Sequence, residues 1–129
     1  MKKFIATLLT AIALMALLAG CGGGGGGTSG GGNVVTMGNS TFGQTSITIT
    51  KGSTITFKND APASSGSFHQ LRNGSNGTVT QEPGAPTINS PDIQPGQSWT
   101  TPPFNSDGTF HIFCTIHPTT MNLTVTVTG

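Results

Sequence analysis

The chain has 129 residues, a formal net charge of +1 and only 7% charged side chains, against about a quarter in an average soluble domain. Lys2 and Lys3 precede an apolar run. The rest of the chain sets Lys51, Lys58 and Arg72 against Asp60, Glu82, Asp92 and Asp107, a net charge of −1. That balance excludes a basic nucleic-acid surface or a polybasic membrane patch, and the length left after the N-terminal segment argues against several domains.

Residues 1–20 have the order of a secretory signal: Lys2-Lys3, the apolar run Phe4–Leu18, then small residues. This run of fifteen residues, interrupted only by Thr7 and Thr10, falls short of the roughly 20 that span a bilayer. Leu18-Ala19-Gly20-Cys21 resembles the lipobox of bacterial lipoproteins, which implies cleavage before Cys21, lipid on its thiol and an anchor on the extracytoplasmic face of a membrane. Residues 21–33 then form a glycine-rich linker, a composition that behaves as flexible coil. The N-terminus is an address and a tether, and 34–129 is the domain.

Within that domain apolar residues alternate with period two, and no stretch shows a helical period. Ile47 and Ile49 alternate with Thr48 and Thr50; Ile55 and Phe57 alternate with Thr54, Thr56 and Lys58. Met37 reads as core of a first strand. In the region 66–103, prolines 83, 86, 91, 95, 102 and 103 restrict ladders to edges, which predicts mostly loop with a short strand around 97–101. Phe110 and Ile112 share one face, with His111 and Phe113 on the other; Leu123, Val125 and Val127 alternate with threonines to the end. Turn signals such as Asn76-Gly77 and Asp107-Gly108 separate these runs. The expected fold class is all-β, one sandwich of two sheets.

Cys114 is a lone thiol if Cys21 carries lipid, and an exported lone thiol is prone to oxidation. Phe113-Cys114-Thr115-Ile116-His117-Pro118-Thr119-Thr120-Met121 sets Cys, His and Met on one turn, as C-x2-H-x3-M. Cys114 has the inward parity of Phe110 and Ile112, and Met121 that of Leu123 and Val125. A thiolate, imidazoles and a weak thioether are the ligands of blue-copper sites. The second imidazole is assigned to His69, which shares parity with Leu71; His111 faces away from Cys114 and reads as an exposed strand residue. Zinc fits less well, because a structural zinc site takes four strong ligands. Singly, Cys114 as core thiol, His117 as surface histidine and Met121 as core filler are the commoner fates; together at ligand spacing they point to copper.

These residues also carry a resemblance. The domain resembles the cupredoxin family, in particular its plastocyanin- and amicyanin-like members. Phe68-His69-Gln70-Leu71 is similar to the family's first-histidine segment, and Gly108-Thr109-Phe110 leading to Cys114-Thr115-Ile116-His117-Pro118 to its G-T-[YF]…C-x-x-H-P segment. Three residues separate His117 from Met121, where amicyanin-like loops often have two and plastocyanin-like loops four; the segment 73–90 has no counterpart. The resemblance implies a Greek-key sandwich with one type 1 copper on His69, Cys114, His117 and Met121. It further implies one-electron transport without enzymatic turnover, and electron exit at His117 beside a docking patch of Ile116 and Pro118. The implied partners are a redox protein and, through Cys21, a membrane, for an otherwise monomeric protein. The alternative is an extracytoplasmic copper carrier that hands over metal, followed by a multicopper enzyme, for which the chain is too short, and a metal-free adhesive sandwich.

Overall fold

The computed structural model describes residues 32–129. The expected signal segment 1–20, Cys21 and nearly all of the expected linker 21–33 therefore lie outside the described residues. Eight strands follow in order: β1 Val34–Met37, β2 Ser46–Thr50, β3 Thr56–Asn59, β4 Leu71–Ser75, β5 Thr78–Val79, β6 Ser98–Thr100, β7 Gly108–Cys114 and β8 Asn122–Thr128. The only helical element among the described residues is one 3-10 turn, Ala63–Ser65.

The alternating threonines set the face each strand presents. In β8, Leu123, Val125 and Val127 are buried while Thr124 and Thr126 are half-buried and Thr128 is exposed. β-branched threonine suits the solvent side of a pleated sheet. The strands form two mixed sheets, β1-β3-β6 and β2-β8-β7-β4-β5. β1 pairs parallel with β3, and β2 parallel with β8. Only the β4–β5 and β7–β8 connections stay within one sheet, so the chain laces the sheets together. Val35, Met37, Ile55, Phe57, Leu71, Phe104, Ile112 and Val125 fill the shared core.

The region 66–103 departs from expectation. A strand does form at Ser98–Thr100, but Leu71–Ser75 is also a strand, inside the larger sheet between β7 and β5. Its inward pattern is masked because Asn73 sits where an apolar residue would signal burial. Asn73 accepts from the Ile88 N–H through Oδ1 at 2.6 Å and donates to the Pro86 carbonyl at 3.0 Å. That clamp seats Ile88 in the core, which gives the segment 73–90 a structural role. Between β4 and β5, Asn76 and Gly77 both have positive φ, 48° and 83°, the two-residue hairpin geometry that favours Asn-Gly. Phe113, on the outward parity of β7, is nevertheless buried. Its register partners are Arg72 and Asn122, and Asn122 is hydrogen-bonded to the Asn76 turn and to Pro118.

Asn59 is the buried polar hub that sequence periodicity does not reveal. Its side chain donates to the carbonyls of Ser67 and Ile93, both at 2.8 Å, and accepts from the Ala61 N–H at 3.0 Å. Ile93 in turn exchanges two backbone hydrogen bonds with His69. Asn59 thus joins the smaller sheet to the segment that precedes β4. Replacing it with alanine leaves buried backbone groups without partners, so Asn59→Ala should lower the unfolding free energy by roughly 2–4 kcal/mol. Urea denaturation measures this; a loss below about 1 kcal/mol would show that the hub is not holding the sheets.

Candidate metal centre

Three segments converge at one end of the sandwich. His69 stands just before β4, opposite Ile93 in an antiparallel bridge. Cys114 ends β7, paired with Leu71 across to β4. His117 lies in the loop between β7 and β8. One ligand atom from each of His69, Cys114 and His117 falls within 4.8 Å of the others, and this is the only such group of three among the described residues. The His69 and His117 rings lie 5.5 Å apart between centroids, tilted by 57°.

The two imidazoles are prepared differently. His69 Nε2–H donates to the Gly38 carbonyl at 2.8 Å. A carbonyl only accepts, so this bond places the ring proton on Nε2 and leaves the Nδ1 lone pair facing Cys114 Sγ, 3.6 Å away. Outward hydrogen bonding of this kind fixes the tautomer and orientation of metal-binding histidines. His117 Nδ1 is buried and has no hydrogen-bond partner. A buried polar atom without a partner is costly, and here it belongs to the group of three. This donor set, one thiol sulfur and two imidazole nitrogens, suits a copper ion.

The surrounding polar contacts hold the segments in register. The Thr115 N–H donates to the Gln70 carbonyl at 2.8 Å, and the Thr115 hydroxyl donates to Gln70 Oε1 at 3.2 Å. Gln70 Nε2 donates on to Asp92. The residues following His69 and Cys114 are therefore bonded to each other through both main chain and side chain. In the loop, the Thr120 and Met121 N–H groups both reach the His117 carbonyl, at 3.3 and 3.0 Å. The Cys114 N–H donates to the Met121 carbonyl at 3.0 Å, and the Thr120 hydroxyl to the Ser40 carbonyl at 2.7 Å.

Among the residues singled out in the sequence, the fold brings His69, Cys114 and His117 together. Cys114 is a buried free thiol. Met121 is wholly buried at the entry to β8 and bonded through its backbone to both Cys114 and His117. His117 and Pro118 are half-buried and Ile116 is 40% exposed. Cys21 lies outside the described residues. His111 stays out of the group, as parity requires, but it is not simply exposed. Its ring Nδ1–H and backbone N–H donate to the two oxygens of Glu82, each at 2.6 Å. The supporting residues Gln70, Gly38 and Asp92 carry no periodic signal; only the polar residue beside His69 hinted at one of them.

Solved structures with this arrangement of strands are cupredoxins. A purple cupredoxin from Nitrosopumilus maritimus superposes with a TM-score of 0.59 at 23% identity, covering 74% of this chain and 98% of the other. A reduced tryptophan-to-tyrosine mutant of amicyanin gives 0.59 at 20%, covering 79% and 87%. A Cu(I) methionine-to-alanine mutant of amicyanin gives 0.58 at 19%, with the same coverage. The fold is that of the cupredoxins. No family model and no curated protein sequence matches the chain. The cupredoxin sandwich therefore stands on three-dimensional similarity, and what its end wall binds is argued from the residues there.

Burial holds His69 below the usual histidine pKa; the Gly38 hydrogen bond opposes that shift and the neighbouring His117 adds to it. The unfolded chain therefore binds a proton at His69 more readily than the folded one. Stability linked to His69 is fully present above the unfolded value, near 6.5, and is lost as pH falls from there through the lowered folded value. The urea midpoint of metal-free protein should thus drop with acidification more steeply in wild type than in His69→Gln. Equal slopes would contradict the burial of a neutral ring.

Proposed function

We propose that His69, Cys114 and His117 hold a single copper ion, with Met121 as a weaker axial ligand, and that the protein carries single electrons. The observation that carries this reading is the site's set of lone pairs. His69 Nδ1 is freed by the Gly38 hydrogen bond, Cys114 Sγ lies 3.6 Å from it, and His117 Nδ1 is buried without a partner. Copper, when bound, supplies the Cu(II)/Cu(I) couple. The chain's residues do the rest. Cys114 and His69 are wholly buried and shut out water, and Cys114 is held in place by its pairing with Leu71 of β4 and by its backbone hydrogen bond to Met121. Ligands that cannot move keep the rearrangement between oxidation states small, and the axial ligand and apolar surroundings tune the potential.

Electrons would leave by His117, which is less buried than the other two ligands, with Ile116 and Pro118 forming the patch against a redox partner protein. Burial also favours this reading over metal delivery. Handing over copper requires an incoming ligand to reach Cys114 Sγ, and that sulfur is enclosed. Charge gives a partner little to hold. Lys51 pairs with Asp107 and Lys58 with Asp60, and exposed pairs of this kind contribute little. A lipid on Cys21 would instead confine the protein to the extracytoplasmic face of a bacterial membrane and leave the folded domain monomeric at the end of its linker.

Copper titration of the full-length protein tests the metal reading. Wild type should develop an intense thiolate-to-copper absorption with reversible one-electron redox, and Cys114→Ser should lose the band. Met121→Leu should keep the band and raise the reduction potential. A coloured Cys114→Ser protein would overturn the ligand set, an unchanged potential would make Met121 core filler, and tight Cu(I) binding with no coloured Cu(II) form would favour the carrier. Membrane fractionation tests the tether: wild type should partition with membranes and Cys21→Ser with the soluble fraction. Equal partitioning of the two would overturn the lipid anchor.

A further inference from the structure

The segment 73–90 meets the His117 loop through the Asn122 side chain and at the Pro118 ring. Asn122, the first residue of β8, donates from Nδ2 to the Pro118 carbonyl at 2.9 Å. Its Oδ1 accepts the backbone N–H of Asn76 at 2.7 Å, and Asn76 is the tip of the β4–β5 hairpin, in the left-handed region at φ 48°. At the same tip, a Cβ added to Gly77 would lie 3.4 Å from the Pro118 ring, so the hairpin rests directly on the residue that follows His117. Donor and acceptor of one amide are thus used in opposite directions, one toward the ligand loop and one toward the hairpin.

We propose that Asn122 is a positioning residue: through it, the β4–β5 hairpin braces the loop that carries His117. The inference deepens the copper reading and rests on it for its redox consequences, while the brace itself is a property of the chain. The loop is otherwise tied down on its other flank, where the Thr120 hydroxyl reaches the Ser40 carbonyl. Between these two points the His117 carbonyl accepts from Thr120 and Met121, so the imidazole is carried on a turn fixed at both ends. Removing the Asn122 amide frees the Pro118 end and lets the His117 backbone move relative to Cys114.

Three variants of the full-length protein test this. Asn122→Ala removes both bonds. Asn122→Asp keeps an acceptor for the Asn76 N–H and loses the donor to Pro118. Asn73→Ala disturbs the same segment at its far clamp, on Pro86 and Ile88, without touching the ligand loop. In copper-free protein, amide exchange at Thr120 and Met121 should quicken by roughly fivefold in both Asn122 variants, the loss of one ordinary hydrogen bond, and stay at the wild-type rate in Asn73→Ala. In copper-loaded protein, both Asn122 variants should shift the reduction potential and the absorption maximum, and Asn73→Ala should leave both in place. Loop exchange that is unchanged in the Asn122 variants, or equally quickened by Asn73→Ala, would overturn the brace. Failure of the copper reading would show separately, as wild-type protein that takes up no copper, and loop exchange then decides the brace alone. If Asn122→Ala does not fold, Asn122→Asp carries the same comparison.

Discussion

Three electron-pair donors held within 4.8 Å of one another inside an apolar wall are the constraint around which this end of the molecule is built. Unpaired lone pairs in low dielectric raise the free energy of the metal-free fold, so the surrounding structure must hold them against their tendency to turn away. The hydrogen bond from His69 Nε2 to Gly38 does this for one ring. The β4 ladder at Leu71 and the backbone bond to Met121 do it for Cys114. The His117 loop has no ladder of its own and depends on discrete contacts at Ser40, Pro118 and Met121.

Division of labour between the two sheets follows from this. The larger sheet carries Cys114 and leads into His69, while the smaller sheet reaches the site through Gly38, which follows β1 and accepts from His69, and through a second link from β3. Asn59 at the end of β3 supplies that link, since its amide binds the Ile93 carbonyl and the Ile93 backbone pairs with His69. The segment 73–90 adds a second layer of support. Asn73 anchors Ile88 in the core, Glu82 closes on the free N–H of His111 where β4 leaves β7, and the hairpin tip meets Asn122. A stretch rich in glycine and proline thereby becomes a strap across one edge of the sheet. Each of its anchors is a single polar side chain with two partners.

Such anchors explain what could and could not be read in advance. β2 and β8 are legible because threonine and aliphatic residues alternate without interruption, and β7 because Phe110 and Ile112 alternate with Thr109 and His111. β4 is not, because the inward position of Asn73 carries a polar side chain and Gly74 beside it carries none. Gly74 itself is needed there: a Cβ would run into the Thr78 backbone. The burial of Phe113 on the outward face of β7, and the Glu82 clamp on the 40% exposed His111 side chain, have a related cause. Parity assigns a residue to a face, but loops that return from distant sequence decide whether that face meets solvent.

The opening scarcity of charge also takes on a different meaning. Of the four acids in the domain, Asp107, Asp60 and Glu82 are paired with Lys51, Lys58 and His111, and Asp92 accepts from Gln70. Little charge is left over, and much of the remaining surface is uncharged polar, with threonine prominent. By itself the sequence determined the all-β class, the inward faces of most strands, and the sharing of one turn by Cys114, His117 and Met121, since all of these follow from local spacing and period-two geometry. Only the tertiary structure decided that His69, 45 residues upstream, meets Cys114 with its Nδ1 and not its Nε2. It alone made Asn59, Asn73 and Asn122 structural joints. Those outcomes depend on which backbone groups arrive opposite an amide or an imidazole after the sheets close, and no spacing along the chain encodes that.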